Sequence, residues 1–291
     1  MNDQAQALRN MVLQNDPKDS TPSGMKIITV TSGKGGVGKS NFSTNLALSL
    51  KQYGKSPVIL DADFGLANVE ILLGHRPKYN LAHLIKKECT FEEVLTQNHY
   101  GVPFISGGSG IKEMLFLNQE QINDIAKDLK KLEEHTDVLL IDTGAGINDI
   151  VLKFCQIADE VYVIVTPEPA SMTDAYALIK TIIKEFGLKP SFNIVISKAM
   201  DKKEAHDVYN KMAYVAGQFL DISIRYAGYI PYDPKLFEAV KYQKPVIEYD
   251  GKCPASEAYK EIGRSILQIP QTETKQRTNW LDKFKRVFSG S

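Results

Sequence analysis

Residues 33–40 read Gly33-Lys34-Gly35-Gly36-Val37-Gly38-Lys39-Ser40, and this octet constrains the fold more than any other stretch of the chain. It satisfies G-x-x-x-x-G-K-[ST], in which backbone N–H groups surround the α- and β-phosphates of a nucleotide. Lys39 then reaches toward the β- and γ-phosphates, and the Ser40 hydroxyl serves Mg²⁺. Its flanks fix the local structure. The apolar, β-branched run Ile27-Ile28-Thr29-Val30-Thr31 precedes it, and Phe42, Leu46 and Leu50 follow at helical spacing. A strand that turns through glycines into a helix N-terminus is a ready anion site. Gly33 through Asn41 are therefore the expected nucleotide contacts.

From Met25 onward, short β-branched runs alternate with helical patterns. Strands are expected at 26–31, 57–61, 102–105, 138–142, 160–165, 192–197 and 225–230. Helices are expected near 39–52, 119–133, 148–156, 170–186, 202–219 and 254–268. Val138-Leu139-Leu140-Ile141 and Val161-Tyr162-Val163-Ile164-Val165 show no polar alternation, as strands covered on both faces require. Alternating strands and helices with buried strands imply an α/β fold, a doubly wound and mainly parallel sheet with helices on both faces. No repeat or boundary interrupts 25–270, which reads as one domain.

The ends differ from that block. Residues 1–24 are polar and close on Asp16-Pro17-Lys18-Asp19-Ser20-Thr21-Pro22-Ser23-Gly24, a linker; before it Ala5, Leu8 and Val12 allow a short helix, marginal by itself. Residues 271–278 form a second polar linker. In 279–291, Trp280, Leu281, Phe284, Val287 and Phe288 recur at i, i+1, i+4, i+7 and i+8, an apolar helix face with Lys283, Lys285 and Arg286 off it. Such a helix suits an anionic membrane interface; packing on the protein's own surface is the other reading, and both can hold. No stretch approaches the roughly 18 apolar residues of a membrane span.

Charge is balanced, with 35 basic and 35 acidic residues, so nothing global points to a nucleic-acid partner. Cys89, Cys155 and Cys253 form no C-x-x-C pair, which argues for a cytoplasmic protein and against a disulfide framework or a cluster shared between subunits. The five histidines lack ligand spacing. Gly107-Gly108-Ser109-Gly110 has no following Lys-Ser and reads as a turn.

Carboxylates at strand ends complete the crevice. Asp142 closes its apolar run in the form of a Walker B residue, holding Mg²⁺ with Ser40. Asp61 closes Val58-Ile59-Leu60, and Asp63 follows, where one reading is an N-cap for a helix begun by Gly65-Leu66-Ala67. At the base-reading end, Ser197-Lys198-Ala199-Met200-Asp201 puts its aspartate one place too far for an N-K-x-D guanine reader. Ile230-Pro231-Tyr232-Asp233 supplies a second base-side segment, with Pro231 and Asp233 as contacts, so ATP is favoured over GTP.

A lysine directly after the first glycine of the loop resembles the deviant Walker A signature of the MinD/ParA family. That resemblance implies that Lys34 crosses a homodimer interface to the partner's γ-phosphate. It also implies that Asp61 supports the Mg²⁺ shell through water, that Asp63 positions the attacking water, and that Gly144 in Thr143-Gly144-Ala145-Gly146 senses the γ-phosphate as part of a second switch. The family usually carries Asn-Arg where this chain has Ser197-Lys198. Asp3-Gln4-Ala5-Gln6-Ala7-Leu8-Arg9 resembles the D-Q-A-x-x-L-R element of the FlhG branch, flagellar-number regulators also called YlxH or FleN. In that branch Asp3, Gln4, Ala5, Leu8 and Arg9 would stimulate the GTPase FlhF, making 1–24 an activating arm, and flagellar C-ring components would be further partners. The ATP-bound homodimer would sit peripherally on the inner face of the cell membrane through the tail helix. A cell-division role like that of MinD, or DNA partitioning like that of ParA, is the alternative.

Overall fold

The computed structural model describes residues 25–63, 68–186, 190–268 and 280–289. The D-Q-A-x-x-L-R element, the linker 271–278 and the helix start at Gly65-Leu66-Ala67 lie outside the described residues. Among the described residues seven strands form one parallel sheet: β1 Lys26–Ser32, β2 Pro57–Ala62, β3 Phe104–Ser106, β4 Val138–Ala145, β5 Glu160–Val165, β6 Ser191–Ala199 and β7 Arg225–Pro231. Their order is β3-β2-β4-β1-β5-β6-β7, so all seven expected strands are present in the expected doubly wound architecture. After β1 the chain builds one flank of the sheet and then, beyond β4, crosses back to β5 on the other. That reversal beside β1 opens a crevice at the C-terminal strand ends.

The helices are α1 Lys39–Gln52, α2 Asn68–Leu72, α3 Leu81–Ile85, α4 Phe91–Val94, α5 Gly110–Glu113, α6 Gln119–Lys130, α7 Leu132–His135 and α8 Asp149–Ile157. They continue with α9 Pro169–Phe186, α10 Lys202–Leu220, α11 Pro234–Lys241, α12 Val246–Tyr249, α13 Pro254–Gln268 and α14 Trp280–Phe288. Local chemistry sets several boundaries. The Asn118 side chain accepts from Gln121 N–H and the Gln121 side chain answers, a capping box that starts α6. Asp201 caps α10 and Asp233 caps α11, whose first residue is Pro234.

Strand runs that read as uniformly apolar divide residue by residue between the two faces, as the two-residue pleat requires. Ile27, Leu139, Ile141, Val161 and Val163 enter one core with α6, α8, α9 and α10. Ile28, Leu140, Tyr162 and Ile164 enter the other with α1 and α13.

The amphipathic tail belongs to the first core. Trp280, Leu281, Phe284, Val287 and Phe288 of α14 are all buried, packed on α6 and α8 over Leu60, Leu139 and Ile141 of the sheet. Polar contacts rim this apolar seat. Trp280 Nε1 donates to Glu133 Oε1 at 2.7 Å, Lys283 lies 3.7 Å from Asp159, and the Lys153 ammonium donates to the Val287 carbonyl while lying over the Phe288 ring at 5.3 Å. In this structure the tail face is occupied by the protein's own groove, so the second reading of the tail holds here.

Candidate active site

The phosphate loop joins β1 to α1. Gly36 and Gly38 have φ of +74° and +103°, left-handed conformations that glycine adopts without strain. Gly38 is the N-cap of α1 and has no side chain with which to cap the first-turn N–H groups, which suits them to an anion. Gly33 is required for another reason. A Cβ there would stand 2.2 Å from the carbonyl carbon of Asp174, so the loop is pressed against the backbone of α9.

Lys39 is buried at the loop's end, and burial lowers its ammonium pKa against the pull of Asp142 and Asp63. Asp142 is fully buried. Desolvation lifts its carboxyl pKa to about 6, opposed by hydrogen bonds from the Ser40 and Ser43 hydroxyls and by the charge of Lys39. Ser43 Oγ donates to Asp142 Oδ1 at 2.8 Å. The other oxygen, Oδ2, is buried with no hydrogen-bond partner among the described residues. An orphaned carboxylate oxygen beside the Ser40 hydroxyl is a hard-donor set that fits Mg²⁺, and the glycine cradle before it fits a polyphosphate.

Asp61 and Asp142 are register partners on adjacent strands β2 and β4. Burial, and then the Asp142 charge, push the Asp61 carboxyl well above its usual range. Both Asp61 oxygens are engaged by backbone: Oδ2 accepts from Val69 N–H at 3.1 Å and Oδ1 from Asp63 N–H at 3.2 Å. Asp61 thereby holds the first turn of α2. Asp63 Oδ2 accepts from Asn68 Nδ2 at 3.2 Å, and a Cβ on Gly144 would come within 2.9 Å of Asp63 Oδ1. The expected second switch therefore lies directly against the candidate water-activating carboxylate. That switch is also tied to the loop strand, since Gly146 N–H donates to the Ser32 carbonyl and Thr143 Oγ1 to the Val30 carbonyl.

The two loop lysines serve different places. Lys39 feels Asp142 and Asp63; Lys34 feels Glu168 and Asp174. Lys34 Nζ lies 2.6 Å from Glu168 Oε2 at the surface, with its side chain 41 % exposed. Glu168 was not among the residues expected at the site. The signal was present in Thr166-Pro167-Glu168-Pro169, an acidic residue just beyond the C-terminal end of β5 and so on the crevice side. Ser43 was likewise missed, three residues and nearly one helical turn beyond Ser40.

At the base-side end, Lys198 and Asp233 each make hydrogen bonds within the chain. Lys198, at φ +61°, donates from Nζ to the Gly36 carbonyl at 2.7 Å, bracing the phosphate loop. Ser197 lies under the loop, its Oγ 3.3 Å from where a Gly38 Cβ would be. Asp233 accepts from Lys235 N–H and Ala255 N–H, both at 2.9 Å, pinning the N-termini of α11 and α13. Pro231 ends β7 beside Ala199. Asn41 lies in the first turn of α1, its carbonyl accepting from Asn45.

The family model ParA, described as NUBPL iron-transfer P-loop NTPase, matches residues 24–267. The antiactivator FleN of Pseudomonas aeruginosa is 39 % identical over 246 residues, covering 84 % of this chain and 88 % of FleN. The flagellum site-determining protein YlxH of Helicobacter pylori is 33 % identical over 247 residues, covering 84 % and 83 %. Among solved structures, the septum site-determining protein MinD of Pyrococcus horikoshii complexed with Mg-ADP superposes with a TM-score of 0.65 at 19 % identity, covering 87 % of this chain and all of that one.

Proposed function

The chain belongs to the ParA family of P-loop NTPases, in the branch of FleN and YlxH, and from that premise we propose that this ATPase is a slow dimerisation switch that regulates flagellar number or placement. The observation that carries the reading is the division of labour between the two loop lysines. Lys39 is buried beside Asp142 and Asp63, whereas Lys34 sits at the surface on Glu168. Lys34 is therefore available to a nucleotide held by a second copy of the chain.

When bound, Mg-ATP supplies the anhydride to be cleaved and the divalent charge that offsets the phosphates. Gly33 through Asn41 hold the phosphates through backbone N–H groups and Lys39, and Ser40 with Asp142 provides the oxygen donors for the metal. Asp61 holds α2 and braces the metal side of the site. Asp63, set by Asn68 and Gly144, orients the attacking water and accepts its proton. Lys34 of the partner supplies positive charge to the transition state, a role for which arginine fingers provide about 10³–10⁵ in rate. Hydrolysis by the isolated monomer is slow for that reason.

Among the described residues no helix is long and apolar enough to cross a membrane. The tail helix is instead a peripheral anchor, docked in its groove in the monomer and freed in the ATP dimer. One short helix binds a bilayer weakly, and two on a single dimer gain from effective concentration. The names of the relatives, an antiactivator and a flagellum site-determining protein, support the flagellar assignment. Its partners would be an FlhF-type GTPase, stimulated through Asp3, Gln4, Ala5, Leu8 and Arg9, and C-ring components. Liposome flotation with ATP or ADP tests the reading. The full chain should float on anionic vesicles with Mg-ATP only, and a chain lacking 279–291 should not float. Equal flotation with ADP would refute it.

A further inference from the structure

We propose that Glu168 is a positioning residue for Lys34: it holds the lysine within its own chain and thereby sets the protein concentration at which turnover begins. The proposal rests on the reading that Lys34 acts on a nucleotide bound by a second copy.

Three features make this contact a built one. Gly33 lies so close to the backbone of Asp174 and Ala175 that no Cβ fits, which fixes the loop against α9 immediately before Lys34. Ser32 Oγ donates to the Lys34 carbonyl at 2.7 Å, so the backbone of the lysine is held as well. On the other side, Pro169 is the first residue of α9 and Thr166 N–H donates to Ser171 Oγ at 3.0 Å, closing the short turn that presents Glu168. The 2.6 Å ion pair thus joins two restrained backbones. A second lysine adds to it: Lys198, braced on the Gly36 carbonyl, also favours the ionised form of Glu168.

The Glu168 carboxylate occupies the lysine with a single negative charge, where the terminal phosphate of a partner's nucleotide would offer more. The pair is exposed, 41 % and 61 % for the two side chains, so an incoming anion can displace it. Ion pairs of such exposure shift equilibria by a factor of about two to five. Glu168 therefore acts as a modest threshold rather than a block.

The experiment measures ATP turnover against protein concentration for the wild type, Glu168→Gln, Glu168→Asp, Lys34→Ala and the double variant Lys34→Ala/Glu168→Gln. Glu168→Gln should reach half-maximal specific activity at a protein concentration about two- to fivefold lower, with KM for ATP unchanged at saturating protein. Glu168→Asp, which keeps the charge, should lie between it and the wild type. Lys34→Ala should abolish the concentration dependence and make the Glu168 substitution silent. A Glu168→Gln curve that matches the wild type, or moves to higher concentration, overturns the threshold role while leaving the switch intact. Full turnover in Lys34→Ala overturns the switch itself.

Discussion

Phe284→Ala tests how tightly the tail is held. Phe284 is 2 % exposed at the centre of the apolar face of α14, and its ring lies 4.7 Å from that of Phe288. Burying the five apolar side chains of this helix contributes roughly 8–15 kcal/mol at about 1.5–3 kcal/mol each. Ordering its nine residues opposes that by roughly 9–18 kcal/mol. The two nearly cancel, so the docked tail is only marginally held, as a releasable element requires. Truncating one fully buried phenylalanine costs about 3–5 kcal/mol, enough to undock the helix while the sheet stays folded. Trp280 is the chain's single tryptophan and is buried in the docked tail, so its fluorescence reports this event alone. Phe284→Ala should show red-shifted, quenchable emission at 25 °C, with a far-UV circular dichroism melt close to that of a chain ending at residue 278. Blue-shifted emission that persists up to the global melt, with the full loss appearing in global stability, would refute the marginal-docking argument.

Gly144→Ala places a methyl 2.9 Å from Asp63 Oδ1 and should lower turnover about 10- to 100-fold by displacing that carboxylate, with ATP affinity measured by calorimetry little changed. Asp142, with its pKa raised from 3.8 to about 6, binds its proton more tightly when folded than when unfolded. Its contribution to the nucleotide-free fold is therefore complete below about pH 4 and drains as pH rises through about 6, in total about 3 kcal/mol. Urea unfolding of Asp142→Asn should accordingly show a shallower decline between pH 4 and 6.5 than the wild type, and parallel profiles would sink that assignment. Lys198→Met removes the donor to the Gly36 carbonyl and should weaken ATP and GTP equally, about fivefold for a screened surface contact; a change confined to ATP would mean that Lys198 reads the base.

The strands and the phosphate loop were legible because burial on both faces demands uninterrupted β-branched runs, and because the loop's glycines and lysines are dictated by the phosphates. Helices of four or five residues such as α2, α3 and α4 span little more than one turn, too little for a period to show. The strand expected from 102 starts at Phe104, since Val102 and Pro103 lie before the ladder with β2. Harder to read were bonds between distant segments. Nothing in Ser197-Lys198 says that the amine turns back 162 residues to Gly36, and nothing in Asp233 says that it ties two helices together. The tail pattern specified an apolar face but not its occupant, because a groove and a bilayer select the same residues.

The switch is tested most directly by light scattering coupled to size-exclusion chromatography on Asp63→Ala with Mg²⁺ and either ATP or ADP. With the carboxylate proposed to orient water removed, this variant should elute as a dimer with ATP and a monomer with ADP, and adding Lys34→Ala should return it to monomer. A monomer with both nucleotides, or a dimer indifferent to Lys34, would contradict it.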